Sequence, residues 1–511
     1  MSSDFRQKIK SREEVAQIIG KRPRRRAVVM CHGAFDIVHP GHLRHLAYAK
    51  EKADILIASI TADAQILKAN YRPYVPEELR ALNLAALEFV NFVIIDPNPT
   101  PIENILFLQP DFFAKGYEYF ANGLPVRTQE EIAALRTYGG EMLFTPGDVV
   151  YSSSALIESH PPRLAVDKLL ILMESEGIGF SDLRRTLEQF RGLRAHVVGD
   201  AIVDSYVYCS VLGATAKSPT LSVRFERREM FAGGAAAVAK HMRATGAEVT
   251  LSTVTGDDEP KEFLLREMAD SGIRALPVVD RMRPTTCKER FLAGGQKLLQ
   301  VDRVDNRAVS ERALEAIGDA LRADRADTVV FSDFRHGIFN RQTVKLLRAH
   351  IPAGALTVAD SQVSSRWGNI LDFTEFDLLT PNEREARFAL GDQDSVVRPL
   401  ALKLFQAARC RWLILKLGER GLLGYRTPGP NPREFFMVDS LADHVADPIG
   451  AGDALVAYTS MAQRVTGNLV IAAILGSAAA AVCCERYGNH AVTPTEVLQK
   501  IDALEKIAHY R

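Results

Sequence analysis

The stretch AVVMCHGAFDIVHPGH, residues 27–42, decides the fold of the first part of the chain. An apolar run ends in small and polar residues, and helical spacing then begins with Leu43, Leu46, Ala47 and Ala49. A buried strand that enters a helix through a glycine turn is the opening of a βαβ unit. Gly33 and Gly41 permit close backbone approach, and a helix N-terminus offers unpaired N–H groups and partial positive charge to phosphate. His39 and His42 lie three apart, so both imidazoles can face one triphosphate. His45 continues the spacing, but no acidic or cysteine partner adjoins the three. They are not expected to hold a metal, and His45 is expected on the exposed side of the helix.

Outward from this stretch, Ile55–Ile60, Val90–Ile95 and Phe112–Ala114 read as strands and Leu79–Leu87 as a helix, which implies an α/β fold with a parallel sheet. A chain of 511 residues exceeds what one core organises. The first domain is expected over residues 1–160, closing at His160-Pro161-Pro162, with a helical connector over 161–192. Strand-like runs then recur at Ala195–Gly199, Val249–Thr255, Thr328–Phe331, Ala355–Ala359, Leu378–Leu379 and Trp412–Leu415, so a larger α/β domain is expected over 193–511.

A second glycine turn, DPIGAGD at residues 447–453, precedes a strongly helical run. Gly450, Ala451 and Gly452 can gather backbone N–H groups as an anion hole, and Asp453 stands where a carboxylate could take a proton from an incoming hydroxyl. A plain turn with an Asp cap is the competing reading of that motif alone.

Composition excludes more than it selects. Lys plus Arg equals Asp plus Glu at 63 each, which gives no general argument for nucleic acid or an anionic membrane as partner. KRPRRR, residues 21–26, reads as a solvated lead-in to the first strand. The six cysteines form no CxxC and no regular spacing, which argues against a disulfide framework or structural zinc and fits the cytoplasm. The polar N-terminus carries no secretory signal. Leu469–Cys484, the longest apolar stretch, is too short to span a bilayer and reads as a buried helix. GxxxxGK[ST] is absent, and Gly294-Gly295 reads as a hairpin turn.

The first block resembles the cytidylyltransferase-like nucleotidyltransferases. It carries their HxGH signature and, in their order, Leu67-Lys68, Arg72-Pro73, EELR at 77–80, KGYEY at 115–119 and YSSS at 151–154. The KGYEY and RPYVPEELR segments look most like the adenylyltransferase half of ADP-heptose synthases. That resemblance implies that a phosphate monoester attacks the α-phosphorus of a nucleoside triphosphate, with catalysis by positioning and charge neutralisation. It implies His39, His42 and Lys68 as catalytic residues. Gly33, Phe35, Asp36, Gly41, Arg80, Lys115, Ser152, Ser153 and Ser154 would bind the nucleotide, ATP by preference with CTP as an alternative, and Mg²⁺ would accompany it.

Residues 195–500 resemble the ribokinase/PfkB carbohydrate kinases, with GDAIVDSY at 199–206 looking closest to heptose-7-phosphate kinases. The resemblance implies Asp453 as base and Gly450, Ala451 and Gly452 as the anion hole. Lys416, Gly418 and Gly421 would border ATP, Asp204, Gly233 and Gly234 would bind the sugar, and Asn382 and Glu385 would serve magnesium. It also implies a homo-oligomer, a dimer through the kinase domain. Three features depart from the pattern. Ala237 stands where an Asn is usual, Asp360-Ser361-Gln362 replaces Asp-Pro-Lys, and the two domains run in the reverse of the usual heptose fusion. The expectation is a bifunctional sugar kinase and sugar-1-phosphate nucleotidyltransferase making an ADP-sugar such as ADP-heptose. The rivals are a CTP-dependent transferase for a polyol or amino-alcohol phosphate, and a kinase-like domain reduced to ligand sensing or oligomerisation.

Overall fold

Four consecutive buried residues open β1 (Val28–Gly33), as a strand covered on both faces requires. The computed structural model describes residues 5–66, 73–116, 125–145, 165–214, 220–362, 369–426, 434–486, 488 and 490–509. The chain divides into two units, Met1–Leu164 and Ala165–Arg511.

In the first unit β1 is joined by β2 (Ile55–Thr61), β3 (Phe92–Asp96), β4 (Phe112–Gly116) and β5 (Glu141–Thr145), all parallel in the order β3-β2-β1-β4-β5. One core holds Val29, Leu46, Leu56, Ala81 and Leu84, and a second holds Val15, Met30, Ile57, Ile105 and Leu135. Val29 and Met30 point to opposite faces, so both faces of the sheet are covered. Strand order reverses beside β1, and in open parallel sheets the crevice at such a reversal, outside the strands' carboxyl ends, is where ligands bind. The turn at residues 33–42 leaves β1 at that point.

The second unit contains β6 (Arg194–Gly199), β7 (Ala201–Ala214), β8 (Leu221–Gly234), β9 (Glu248–Thr255), β10 (Arg274–Val279), β11 (Cys287–Ala293), β12 (Gln296–Arg303), β13 (Thr328–Asp333), β14 (Leu356–Ser361), β15 (Leu378–Leu379), β16 (Trp412–Lys416), β17 (Leu422–Arg426) and β18 (Phe435–Val438). Nine of these form one sheet in the order β10-β9-β6-β13-β14-β15-β16-β17-β18. It is parallel as far as β16 and ends in two antiparallel edge strands. A separate four-stranded sheet, β12-β11-β7-β8, was not anticipated from the sequence. Gly294 and Gly295, with φ of 57° and 79°, turn β11 into β12 as a hairpin. Leu469–Cys484 is a helix buried along almost all its length. No helix among the described residues is long and apolar enough to cross a membrane.

Two expectations need correction. The connector helices Ala165–Ser175 and Phe180–Glu188 are built into the second unit, because Leu169, Leu172, Leu183 and Leu187 form an apolar stripe that joins its core. Lys168 and Arg184 fasten them to Asp439 and Asp502 at 2.9 and 2.8 Å. Nor is KRPRRR wholly solvated. Arg22 donates to the carbonyls of Tyr138 and Gly139, and the Arg24 side chain is 5% exposed, bonded to the Leu108 and Gln109 carbonyls.

Candidate functional site

His39 caps the helix Pro40–Glu51, its Nδ1 accepting from the Gly41 N–H at 3.1 Å. A Cβ on residue 41 would lie 2.9 Å from His39 Cε1, so the glycine keeps the ring in place. His42 Nδ1 stands 3.1 Å from the Ile37 carbonyl, which can only accept. The two rings stack at 3.9 Å, and Phe35, buried with φ of 47°, meets His42 edge-on at 5.1 Å. These bonds fix the tautomers of the neutral rings: His39 carries its proton on Nε2, and His42 leaves Nε2 bare. Burial, with His39 alongside, pushes the His42 pKa down to about 4, and burial lowers that of His39.

His45 is half-buried, not exposed. Its Nδ1 is 2.8 Å from Thr145 Oγ1 at the end of β5, because β5 lies along that side of the helix. Burial takes its pKa to about 4.

Three expected nucleotide-binding residues are engaged within the protein. Asp36 accepts from the N–H groups of Tyr74 and Val75 at 3.0 and 2.7 Å. Arg80 is wholly buried, donating to the carbonyls of Ala34, Thr61 and Val75 and to Asp63. Those bonds tie the turn after β1 to the end of β2 and to Asp63. Lys115, at the end of β4, pairs with Glu131 and donates to Thr128 Oγ1 at 3.0 Å. Lys68 and Ser152–Ser154 lie outside the described residues.

Sequence reasoning passed over His32, the residue just before the motif. Its Nδ1 is 2.9 Å from Ser59 Oγ and its Nε2 3.1 Å from Thr61 Oγ1, with Asp96 Oδ2 3.7 Å away. Burial, aided by Lys115, pushes its pKa down to about 4. Its place at a strand end was the available signal.

In the second unit Gly450 (φ 83°) caps the helix Ala451–Thr466, with Ala451 and Gly452 in the first turn beside Asp453. Asp453 is buried, and burial together with Asp360 pushes its pKa up to about 8, against the pull of Lys416. Lys416, at the end of β16, donates to Asp360 Oδ1 at 2.6 Å, and Thr380 Oγ1 donates to the same oxygen at 2.8 Å. Burial works against the Lys416 ammonium, but Asp360, Glu385 and Asp453 outweigh it and hold its pKa above the usual value. Asp360 had been noticed only as part of a departure from pattern, yet it is the partner that keeps Lys416 charged in the interior.

Asn382 caps the helix Glu383–Leu390. Its Oδ1 accepts from the Glu385 N–H at 2.9 Å, and the Glu385 carboxylate takes the Asn382 N–H at 2.7 Å. A backbone bridge from Asn382 to Lys416 sets this pair beside the lysine. Gly418 and Gly421, with φ of 62° and 84°, form the turn from β16 to β17; a Cβ on Gly421 would lie 2.0 Å from the Val438 carbonyl oxygen. Asp204 on β7 accepts from Arg290 Nη1 at 2.5 Å. Gly233 leaves room for Asp204 there, since its Cβ would lie 2.1 Å from Asp204 Oδ2, and Gly234 (φ 60°) turns β8 into the helix Ala235–Ala244, where Ala237 is buried. Among the described residues no three His, Cys, Asp or Glu side chains converge as a metal cage. Glu385 supplies one carboxylate at this helix start, and Mg²⁺ arriving on a triphosphate keeps most of its water and needs only one or two.

Residues 194–496 match the family described as pfkB family carbohydrate kinase, and residues 30–159 match the Cytidylyltransferase-like family. The transferase-like match precedes the kinase match, the reverse of the order in the bifunctional relatives. "Bifunctional protein HldE" of Desulfatibacillum aliphaticivorans is 27% identical over 336 residues, 64% of this chain and 65% of that protein. The protein of the same name from Rhodopseudomonas palustris (strain BisB5) is 31% identical over 313 residues, 60% of this chain and 62% of its own length. Each alignment thus spans less than two thirds of the relative. The phosphofructokinase-2 of Escherichia coli in complex with fructose-6-phosphate superposes with a TM-score of 0.51 at 17% identity, covering 61% of this chain and 99% of that one, a likeness of fold.

Proposed function

We propose, from the premise that this chain belongs to the pfkB family of carbohydrate kinases and carries a cytidylyltransferase-like domain ahead of it, that it activates a sugar in two phosphate-transfer steps. The second unit transfers the γ-phosphoryl of ATP to a sugar hydroxyl, and the first couples a sugar 1-phosphate to AMP from ATP with loss of pyrophosphate. An ADP-sugar of the heptose class is the product favoured by the resemblance to the bifunctional relatives.

The observation that carries this reading is Asp453, a buried carboxyl beside the amides of a helix start, with its pKa raised to about 8 by burial. A carboxylate of that basicity can take the hydroxyl proton as the oxygen attacks the γ-phosphorus. The amides of Gly450, Ala451 and Gly452 hold the charge that develops on the phosphoryl oxygens. Asp204 orients the sugar hydroxyls, Gly233 and Gly234 give it room, and Lys416, Gly418 and Gly421 border the nucleotide. Mg²⁺ on the triphosphate would meet Asn382 and Glu385 and supplies neutralisation of phosphate charge.

In the first unit the nucleophile is already an anion, so no base is required. His39 offers Nε2–H to a phosphate oxygen. His42 becomes a donor at Nε2 on taking a proton, which a bound polyphosphate favours by its charge. Lys68 and Lys115 are proposed as further phosphate ligands, Lys115 after exchanging Glu131, and Ser152–Ser154 as a cap at the nucleotide. The six free cysteines, five of them buried, fit a reducing cytoplasm. The exposed Leu221, Phe225, Leu299 and Val301 of the four-stranded sheet suit a dimer through the kinase unit.

The test is the mass of the product formed from ATP, sugar phosphates and the purified protein. A conjugate of AMP and a sugar is expected. Pyrophosphate release with CTP and not ATP would sink the adenylyl assignment and favour a cytidylyltransferase.

A further inference from the structure

The ammonium of Lys416 stands where stability alone gives no reason for a lysine. A Cβ on Gly452 would lie 3.7 Å from Lys416 Nζ, so the ammonium sits beside the first turn of the helix Ala451–Thr466. That turn presents unpaired N–H groups and partial positive charge, which favour an anion and disfavour a cation. The Lys416 side chain is 15% exposed, and among the described residues only Asp360 accepts from it, at 2.6 Å. An ammonium has three N–H donors, so the rest are unspent.

Asp360 is itself held. Thr380 Oγ1 donates to the same Oδ1 at 2.8 Å, and the Thr380 N–H bonds the Ala359 carbonyl at 3.2 Å. The ends of β14 and β15 thus fix the carboxylate, and the carboxylate fixes the ammonium at the end of β16. Asp453, in the same helix turn and 8% exposed, forms no hydrogen bond or ion pair among the described residues. A lysine kept only to balance charge would spend its donors on the carboxylates around it. Lys416 bonds one of them and keeps its other donors beside the amides of the anion hole. An ammonium and a helix start repel each other unless an anion lies between them. A phosphoryl group in transfer is such an anion, with its charge spread over three oxygens.

We propose that Lys416 is a catalytic residue of the kinase unit, donating to the γ-phosphoryl as it moves from ATP to the sugar, and that Asp360 is the positioning residue that holds it beside the anion hole. This rests on the kinase reading above and adds to it a second source of positive charge, supplied from β16. In the step, the sugar oxygen bonds to the γ-phosphorus as the bond from that phosphorus to the β–γ bridging oxygen breaks. The hydroxyl proton passes to Asp453, ADP leaves, and Lys416 donates throughout without giving up a proton. Neutralisation of buried carboxylates is the competing role, and it would touch folding and binding rather than the rate of the step.

The experiment measures ADP release from ATP by the full chain, with ribose, fructose 6-phosphate and a heptose 7-phosphate as acceptors. Lys416→Met is expected to lower kcat by about 100-fold or more, with both KM values within about threefold. Lys416→Arg, which keeps the charge, should recover about 10-fold of that loss. Asp360→Asn is expected to cost about 10-fold in the native chain and nothing further in Lys416→Met, since it acts through the lysine. The double variant removes both charges of the pair together, so that comparison is free of a half-broken ion pair. A change confined to KM, or additive losses in the double variant, overturns the proposal. If no acceptor is turned over, the kinase reading fails by itself, and thermal unfolding then decides this proposal. ADP with Mg²⁺ and aluminium fluoride, a stand-in for the phosphoryl in transfer, is expected to raise the Tm beyond ADP with Mg²⁺ alone. Tryptophan fluorescence reads this, both tryptophans lying in the second unit. Lys416→Met should abolish that increment and keep the shift with ADP. An increment missing from the native chain, or one that survives the substitution, overturns the proposal.

Discussion

The two phosphate sites stand at similar places, where a strand end gives way to a helix, yet they are assembled differently. The first takes its imidazoles from four successive residues, and its surrounding cations, Arg80 and Lys115, are tied to carbonyls and to Glu131. The second draws Asp204, Asp360, Lys416, Glu385 and Asp453 from three strands and two helices that lie far apart in sequence. Burial acts on both and removes charge from both, leaving the histidines neutral and Asp453 reluctant to ionise. A locally built site can be altered by one turn of chain. A distributed one depends on every element that feeds it, and its central groups set one another's charge.

The strongest challenge to this contrast is Asp453→Asn. Kinase turnover is expected to fall about 1,000-fold or more, as loss of a positioned base requires. Nucleotidyl transfer by the same preparation should stay within about twofold, because the groups meet in no shared element. A parallel fall in both activities, read from separate assays of ADP and pyrophosphate release, would break the separation into two sites.

Next comes His42→Ala. Removal of one charge-stabilising group at a phosphoryl centre is expected to lower nucleotidyl transfer about 100-fold, chiefly in kcat, and to leave the kinase unchanged. An unchanged transfer rate would move the chemistry away from the stacked pair. The third effect is smaller. Gly233→Ala sets a methyl against Asp204 Oδ2, which must turn away. The sugar KM is expected to rise about 10-fold with kcat nearly kept, since the interaction lost is one of binding.

What the sequence disclosed follows the same division. The turn at residues 33–42 was legible because its chemistry is contiguous, and so was the α/β character of the larger unit, many of whose strands are continuous apolar runs. The four-stranded sheet was not legible. β12 is exposed at every residue and β8 is buried only at its last three, which leaves no buried face on either strand to print an alternation on the sequence. His45 was misplaced because helical spacing shows which residues share a face, while β5, which covers that face, arrives about 100 residues later. Arg80 and Asp36 read as ligand contacts because a buried arginine that holds carbonyls looks, in sequence, like an arginine that holds phosphate. Asp360 read only as part of a departure from pattern because its meaning lies in Lys416, 56 positions on.

The smallest effect concerns pH and divides the units by sign. The Asp453 pKa is about 8 in the fold against an ordinary 3.8. Between those values the unfolded chain gives up that proton more readily, so the contribution of Asp453 is greatest below pH 4 and is lost as pH rises toward 8. For His42, about 4 in the fold against an ordinary 6.5, the unfolded chain binds the proton more readily in that window. Its contribution is present above 6.5 and is lost as pH falls toward 4. Both tryptophans, Trp367 and Trp412, belong to the second unit, so their fluorescence follows that unit alone, whereas calorimetry follows both. Asp453→Asn is therefore expected to raise the fluorescence Tm by a few degrees at pH 8 and by less at pH 5. His42→Asn is expected to narrow the acid loss of the first unit's calorimetric transition. If Asp453→Asn lowers the Tm at pH 8, ionisation there costs the fold nothing, and the carboxyl cannot have the basicity that the transfer step demands of it.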